Sequence, residues 1–436
     1  MRRIALILAL SLLAPLAAAE NLSDIYRLAL ANDPVYAAAR EAYRAGLERL
    51  PQARATLLPS LNLSAFARNT DTDASSAAGS TSTQPYGYSL SLTLPIYRKQ
   101  NLETLAQARL QVTLAEQQLR LAQQELLLRT AQAYFDVLLA EDNLTAAQAQ
   151  KQAFAEQLAQ ARRSFEVGVA TIVDSHEAQA RYDLALAQEI AAVNDLEVKR
   201  RALEKLINQT APRLAPLKDP DALPLPSPSG MDTWAQQAQE QGLRVLLSQS
   251  AQEIARREVE RQRGGYYPSL DLTANYNDSR RTNTLPGSGT SVNLKSGTIG
   301  LEFNLPLYQG GGTAARVREA VANLERTRYE LDNARRQAAL DARQAYLDVV
   351  SGAARAKALE QALISNEAQL RSTKLGLEVG VRTRVDVLNV EQQRYAILRD
   401  LHAARYQVLL AGLRLRAAAG ILSEEDFKGI DALLKN

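Results

Sequence analysis

The sequence contains no cysteine and very little histidine, methionine or tryptophan. Among its 436 residues are two histidines, two methionines and one tryptophan, and aromatic residues make up 5% of the chain. Without cysteine there is no disulfide framework and no thiol that could carry a lipid anchor. His176 and His402 have no second ligand at metal spacing, so the sequence predicts neither a metal site nor a cofactor.

Catalytic motifs are also missing. The three glycines at 310–312 stand between a predicted strand and a predicted helix, as in some phosphate-binding loops. They lack the spacing and the lysine of those loops, and a tight strand-to-helix turn accounts for them better. No catalytic residue is predicted, and we expect the protein not to be an enzyme.

The chain lacks both a large net charge and, beyond its N-terminus, a long apolar run. The first residues, "MRRIALILALSLLAPLAAAE", have the pattern of a secretory signal, so residues 1–19 are predicted to be removed. Without Arg2 and Arg3, the 51 basic residues fall to 49, against 48 acidic ones, which argues against a nucleic-acid partner. No later apolar run reaches about 18 residues, so a membrane-spanning role would have to use strands.

The sequence is one unit written twice. "EVGVATIVD" (166–174) returns as "EVGVRTRVD" (378–386), an offset of 378 − 166 = 212 residues. "LLPSLNLSA" likewise returns as "YYPSLDLTA", and "QAYFDV" as "QAYLDV". We predict a first structural repeat at 20–210, a proline-rich linker at 211–230, a second repeat at 231–419 and a C-terminal segment at 420–436.

Each copy predicts the same order of elements: helix, two strands, very long helix, tight turn, helix. A short helix capped at Ser23 precedes the first of these. In the strands, apolar residues such as Leu61 and Leu63 alternate with polar ones such as Asn62 and Ser64. The polar segments 68–84 and 278–291 are predicted to be long, solvent-exposed loops at the hairpin tips.

Such strands fit either an ordinary water-soluble sheet or the wall of an outer-membrane barrel. Tyrosines flank the apolar bands at Tyr86, Tyr97, Tyr276 and Tyr308, as in the aromatic girdles of outer-membrane barrels. Four strands cannot close a barrel, and an eight-stranded one is filled by side chains. An open pore therefore needs at least three chains and twelve strands, which predicts a homotrimer in contact with outer-membrane lipid.

The segment from Lys99 to Glu166 has no proline or glycine. Its 68 residues predict a helix of about 100 Å. Leucines and related residues form two heptad series on nearly opposite sides, which favours a helix between two neighbours in a curved wall. A plain antiparallel coiled coil, with one series, is the alternative. Gly168 and Gly380 would allow the chain to reverse at the ends of two long helices.

With these features in place, the sequence resembles the TolC family of outer-membrane efflux ducts. The resemblance rests on the duplicated motifs above, on "LPIY" and "LPLYQGGG", and on the terminal "GILSEEDF". It implies an α+β membrane protein: a trimeric, twelve-stranded β-barrel with four strands per chain, continuous with a long periplasmic α-helical barrel. It also implies an exit duct of tripartite efflux or type I secretion, working with a periplasmic adaptor and an inner-membrane pump.

The resemblance assigns roles at the periplasmic entrance. It places Arg382 opposite Asp174 as a constricting salt bridge, and Asp386 in an acidic, cation-sensitive ring. Where the family has a second ring of aspartates this chain has Asn389, which predicts weaker block by multivalent cations. Leu377 replaces a tyrosine of the constriction, which predicts one hydrogen-bonded link fewer.

The resemblance also marks the hairpin tips as the places where adaptors dock. The matching positions are Gly168, Val169, Gly380 and Val381. The main alternative function is that of a structural periplasmic spacer or adhesin built of coiled coils, with no channel activity.

Overall fold

The computed structural model describes residues 19–73, 80–218, 223–285 and 288–434. The predicted signal segment lies, except for Ala19, outside these residues. The helices are α1 (Leu22–Asn32), α2 (Pro34–Leu47), α3 (Arg49–Ala55), α4 (Lys99–Glu166), α5 (Ile172–Ile207), α6 (Met231–Gln241), α7 (Leu243–Arg263), α8 (Gly312–Glu378), α9 (Arg384–Ala418) and α10 (Glu425–Asp431). The strands are β1 (Ser60–Ala67), β2 (Thr70–Asp73), β3 (Ser80–Arg98), β4 (Ser269–Leu285) and β5 (Ser288–Asn304).

The chain divides into two compact units, and each unit takes in segments of both sequence copies. The sheet unit comprises residues 41–118 and 247–333, and the helical unit comprises residues 1–40, 119–246 and 334–436. Segments of α4 and α8 belong to each unit. None of the described helices is long and apolar enough to cross a membrane.

The sheet unit contains one antiparallel sheet in the order β1-β3-β4-β5. β2 also pairs with β3 and keeps the register of β1, since Ala67 lies opposite Tyr86 and Thr70 lies opposite Thr83. β1 and β2 are thus one interrupted strand, and together they stand where a single strand was predicted. The edge strands β1 and β5 pair on one side only, with β3 and β4 respectively, and neither has a second partner strand among the described residues.

The two faces of the sheet differ sharply in polarity. Register pairs Leu61 with Leu92 and Leu63 with Leu90, and the apolar face continues across β4 and β5. Leu63 is 72% exposed and Ile299 is 80% exposed, so this face is uncovered in the single chain. The opposite face carries small polar side chains, of which Ser64 and Ser89 are hydrogen-bonded at 2.7 Å. An uncovered apolar face of this size requires an apolar environment.

Tyrosines flank the apolar face at both ends. Tyr88 and Tyr97 lie nine positions apart on β3 (97 − 88), and the bulge between Pro95 and Tyr97 keeps both on the apolar face. Nine positions span about 30 Å of strand, or about 23 Å along a barrel axis at the usual tilt of about 40°. That height matches the apolar band of roughly 25 Å in outer-membrane barrels.

The predicted loops at 68–84 and 278–291 are wrong in extent. β4 continues to Leu285 and β5 begins at Ser288, while β2 and β3 extend the first hairpin to Asp73 and from Ser80. Their sequences are almost entirely polar, so no alternation marks them as strands. Pairing of their backbone N–H and C=O groups across the hairpin holds them in the ladder.

A carboxylate network joins α7 to α4 within the sheet unit. Glu258 on α7 accepts hydrogen bonds from Arg261 at 2.6 and 2.7 Å and from Gln107 on α4 at 2.9 Å. Burial alone would raise the pKa of the Glu258 carboxyl. The hydrogen bonds from Arg261, Gln107 and Gln262 outweigh burial, however, and lower the pKa from 4.5 to about 2.

Acid is therefore expected to weaken the α4–α7 contact. Because the folded-state pKa of Glu258 is depressed, its contribution to stability is present above about pH 4.5 and is lost as pH falls towards 2. Glu258→Gln should lower the melting temperature at pH 7, and its difference from wild type should shrink at pH 3. The matched control is Glu260→Gln, since Glu260 is half-exposed and pairs with Arg263 of its own helix. An equal difference at both pH values would show that the charge of Glu258 is not responsible.

The core of the helical unit gathers the N-terminal helix, the linker and the C-terminal segment around the middle of α4. Tyr134 of α4 is fully buried, and its hydroxyl donates to the Ala215 carbonyl at 2.9 Å. Tyr26 of α1 meets Phe427 of α10 edge to face, with ring centroids 5.5 Å apart. The linker is thereby fixed in the core rather than left as a loose connection.

The predicted cap at Ser23 is wrong. Asn21 stands at the N-cap of α1, and Ser23 lies inside the helix and is buried. Its hydroxyl donates to the carboxylate of Asp431 in α10. A residue type that favours caps is used here for a long-range contact, which local sequence patterns do not reveal.

Candidate functional site

The candidate site consists of the two turns that join the long helices, α4 to α5 and α8 to α9. Gly168 has φ of 76° and Gly380 has φ of 79°, the left-handed conformation that glycine adopts without strain. The Val169 N–H donates to the Ser164 carbonyl, and the Val381 N–H donates to the Gly376 carbonyl, both at 2.9 Å. The two copies of the repeated motif thus form the same helix-ending turn.

The helix that follows each turn begins with the same cap. Asp174 accepts hydrogen bonds from the backbone N–H and the hydroxyl of Thr171, both at 2.9 Å. Asp386 accepts the equivalent pair from Thr383, also at 2.9 Å. Each threonine accepts in return from the aspartate N–H, which completes a capping box. Both aspartates therefore lie in the first turn, as their sequence position indicates.

The capping box at the start of α9 lowers the pKa of its aspartate, Asp386. The backbone N–H and then the hydroxyl of Thr383 lower the pKa of the Asp386 carboxyl, and the charge of Arg382 acts in the same direction. Asp386 therefore remains a carboxylate over the physiological pH range.

Valines surround both glycines and are open to solvent. Val169 is 77% exposed and Val381 is 75% exposed. Val167 and Val379, one residue before the glycines, are also exposed. Four exposed β-branched side chains at two equivalent tips are a feature of interaction surfaces rather than of a solvated turn. The roles predicted for these tips depend on partners and remain predictions.

Arg382 lies at the outer edge of the second turn. Its side chain covers Gly376, where an added Cβ would approach the Arg382 Cγ to 2.7 Å. Within the described residues of the single chain, Arg382 and Asp174 do not form an ion pair, because Asp174 is held by Thr171. The predicted constricting bridge would have to form between protomers, and it remains a prediction. Leu377 is half-buried, and the Gly380 N–H donates to its carbonyl at 3.2 Å.

Two arginines that sequence reasoning missed connect α9 to the first hairpin. Arg384 donates to the hydroxyl of Ser164 on α4 at 2.8 Å. Arg181 on α5 donates to the Asn389 side-chain oxygen at 2.9 Å and also to Gln392. Asn389 therefore accepts a hydrogen bond from an arginine, at a position where the family resemblance implies an aspartate. At the offset of 212 residues Arg384 corresponds to Ile172 and Arg181 to Gln393, so the duplication did not mark either arginine.

A buried carboxylate forms a third connection. Glu391 on α9 is 5% exposed, lies 2.9 Å from the ammonium group of Lys374 on α8, and accepts from Gln157 on α4. Together with Arg181 and Arg384, it fixes α9 against three other helices. We call these connections the α9 links.

Comparison with known proteins identifies this arrangement. The profile described as "Outer membrane efflux protein" matches residues 25–209 and 234–421. The outer membrane protein TolC of Vibrio cholerae is 33% identical over 96% of this chain and 94% of its own length. The alkaline protease secretion protein AprF of Pseudomonas aeruginosa is 33% identical over 95% of this chain and 87% of its own.

Solved structures agree on the fold. The CmeC outer membrane channel of Campylobacter jejuni superposes with a TM-score of 0.78 at 18% identity, covering 95% of this chain and 90% of that one. This chain belongs to the outer membrane efflux protein family. The resemblance seen in the sequence is confirmed, and so is the α+β fold of long helices and a small sheet.

Family membership also establishes the location and the general function of the protein. It is an exit duct of the outer membrane with a large periplasmic helical portion. The family is one of channels.

Proposed function

We propose that three copies of this chain form a passive duct that conducts cargo from an inner-membrane pump to the cell exterior. The observation that carries the proposal is a sheet with one uncovered apolar face and two unpaired edges, β1 and β5. In lipid, unpaired backbone groups cost several kcal/mol each, so such a sheet has to close on itself. Twelve strands from three chains give a closed wall around an open lumen.

Partners are proposed at the second functional region, the two turns that join α4 to α5 and α8 to α9. The exposed valines beside Gly168 and Gly380 suit an apolar partner surface, and a trimer would present six such tips. The partner we propose is a periplasmic adaptor that also holds the pump. The names of TolC and AprF associate these relatives with the outer membrane and with protease secretion, respectively. We propose that cargo is selected by the pump.

The entrance is proposed to be held narrow at rest. The α9 links fix the second hairpin within each chain, and we propose that Arg382 and Asp174 join neighbouring chains in the trimer. Asp386 supplies a ring of three carboxylates to the entrance, and Asn389 supplies none. No catalytic step enters this function, since transport through the duct is driven by the pump.

Fractionation of cells that express the chain tests the duct against the spacer or adhesin. We expect the protein in the outer-membrane fraction, as a trimer that runs faster on gels before boiling than after it. The trimer should form channels in a planar bilayer. Folded protein recovered in the soluble periplasmic fraction would contradict the proposal and favour a spacer.

A further inference from the structure

Two cations, Arg280 and Lys295, lie among the tyrosines at the hairpin end of the apolar face. Register pairs Tyr88 with Asp278 and Asp278 with Lys295, while Tyr86 pairs with Arg280. Directly paired residues share a face of the sheet, and Leu90 lies two positions from Tyr88. Arg280 and Lys295 therefore stand on the same face as the lipid-facing leucines.

Their height above the apolar band follows from the strand rise. The Tyr88 and Tyr276 rings pack with centroids 6.3 Å apart and mark the outer end of the band. Asp278, opposite Lys295, lies two positions beyond Tyr276, and Arg280 lies four beyond. With about 3.3 Å per residue and a tilt of about 40°, these positions are about 5 and 10 Å beyond Tyr276, level with Tyr88 and Tyr86 respectively. Lipid headgroups occupy that layer.

The two cations are also near one another. Arg280 lies opposite Asn293, and Lys295 follows Asn293 by two positions, so Arg280 and Lys295 are diagonal neighbours. Such neighbours lie about 7–8 Å apart at the backbone, within reach of one shared anion. Lys295 is 68% exposed and lies 3.7 Å from Asp278, and Arg280 is exposed. Among these three side chains, Arg280 and Lys295 contribute two positive charges and Asp278 contributes one negative charge, which leaves one net positive charge.

We propose that Arg280 and Lys295 bind a phosphate of lipid A in the outer leaflet. Arginine binds phosphate oxygens through two parallel N–H groups, and lysine adds a mobile point charge. The site is continuous with the lipid-facing band. In the proposed barrel the hairpins would lie on the outer side, as the longer loops of outer-membrane barrels do, next to the leaflet that contains lipopolysaccharide. The inference rests on the proposed barrel, because only a closed sheet places this face against lipid.

The neighbouring arginine offers a matched control. Arg281 follows Arg280 on β4 and is exposed, but it faces the opposite, lumenal side of the sheet. Arg281→Gln removes the same charge from the same strand without removing a lipid contact. Asp278→Asn tests the site in the opposite direction, because it removes the only described anion beside Lys295.

Native mass spectrometry of the purified full-length trimer can measure binding of lipid A with two phosphates, of dephosphorylated lipid A and of phosphatidylglycerol. We expect Arg280→Gln combined with Lys295→Gln to bind bisphosphorylated lipid A about tenfold more weakly than wild type. Arg281→Gln should match wild type, Asp278→Asn should bind more tightly, and dephosphorylated lipid A should bind every variant alike.

Equal binding by all variants, or an equal loss with Arg281→Gln, would overturn the proposal. So would an equally variant-dependent affinity for phosphatidylglycerol, which would show a site for any anionic lipid. If the double variant fails to assemble, the comparison of Asp278→Asn with wild type tests the proposal, and equal binding of bisphosphorylated lipid A by these two would overturn it. A wild type that forms no outer-membrane trimer would contradict the duct itself, whereas a channel-forming trimer indifferent to phosphate would contradict only this inference.

Discussion

Replacing Val169 and Val381 with aspartate is expected to abolish adaptor-dependent export while leaving the trimer and its channel intact. Both side chains are about three-quarters exposed, so neither contributes to the core of the single chain. An adaptor that buries them would have to desolvate a carboxylate at every tip of the duct. Affinity for the adaptor should fall by about a hundredfold or more, which is ~2.7 kcal/mol.

Threonine at the same positions provides the control for this experiment. Val169→Thr with Val381→Thr keeps the side-chain shape and adds one hydroxyl, so binding should weaken much less than with aspartate. Adaptor binding can be measured with immobilised trimers, and export by the susceptibility of cells to a pumped compound. Full adaptor binding by the aspartate variant would place the docking surface away from the tips.

Removing Arg181 and Arg384 together is expected to increase single-channel conductance severalfold. These arginines hold α9 against α5 and α4 through Asn389, Gln392 and Ser164. Each charged hydrogen bond contributes about 1–2 kcal/mol where it is partly buried. A loss of this size in each chain is enough to shift a two-state entrance towards its open form.

Arg201→Ala is the matched control, because Arg201 pairs only with Glu197 and Glu204 of its own helix among the contacts described. Its conductance should equal that of wild type. An unchanged conductance in the Arg181→Ala, Arg384→Ala variant would show that the α9 links stabilise the fold without restricting the entrance.

Most of the helical framework could be predicted from the sequence. The segment from Lys99 to Glu166 is a helix with the predicted ends. Its ends are marked by strand alternation on one side and by glycine on the other, which act over a few residues and can be read locally. The duplication added a second, independent copy of each signal, which is why both tips were found.

The connections that fix α9 could not be predicted. Arg384 and Ser164 are 220 residues apart, and Arg181 and Asn389 are 208 apart. Nothing local distinguishes these arginines from the many that are solvated on helix surfaces. The strand extensions at the hairpin tips were missed for a related reason, since their stability comes from the partner strand rather than from their own residues.

Arg382 provides the most direct test of a gated duct. The measurement is the single-channel conductance of the purified protein in a planar bilayer, with wild type compared with Arg382→Ser. One exposed charge pair contributes about 0–1 kcal/mol, but three copies around an axis act together on one entrance. We predict a small wild-type conductance that is clearly larger in the variant. An unchanged conductance would show that Arg382 does not restrict the entrance. Folded protein that forms no channels would contradict the proposed duct.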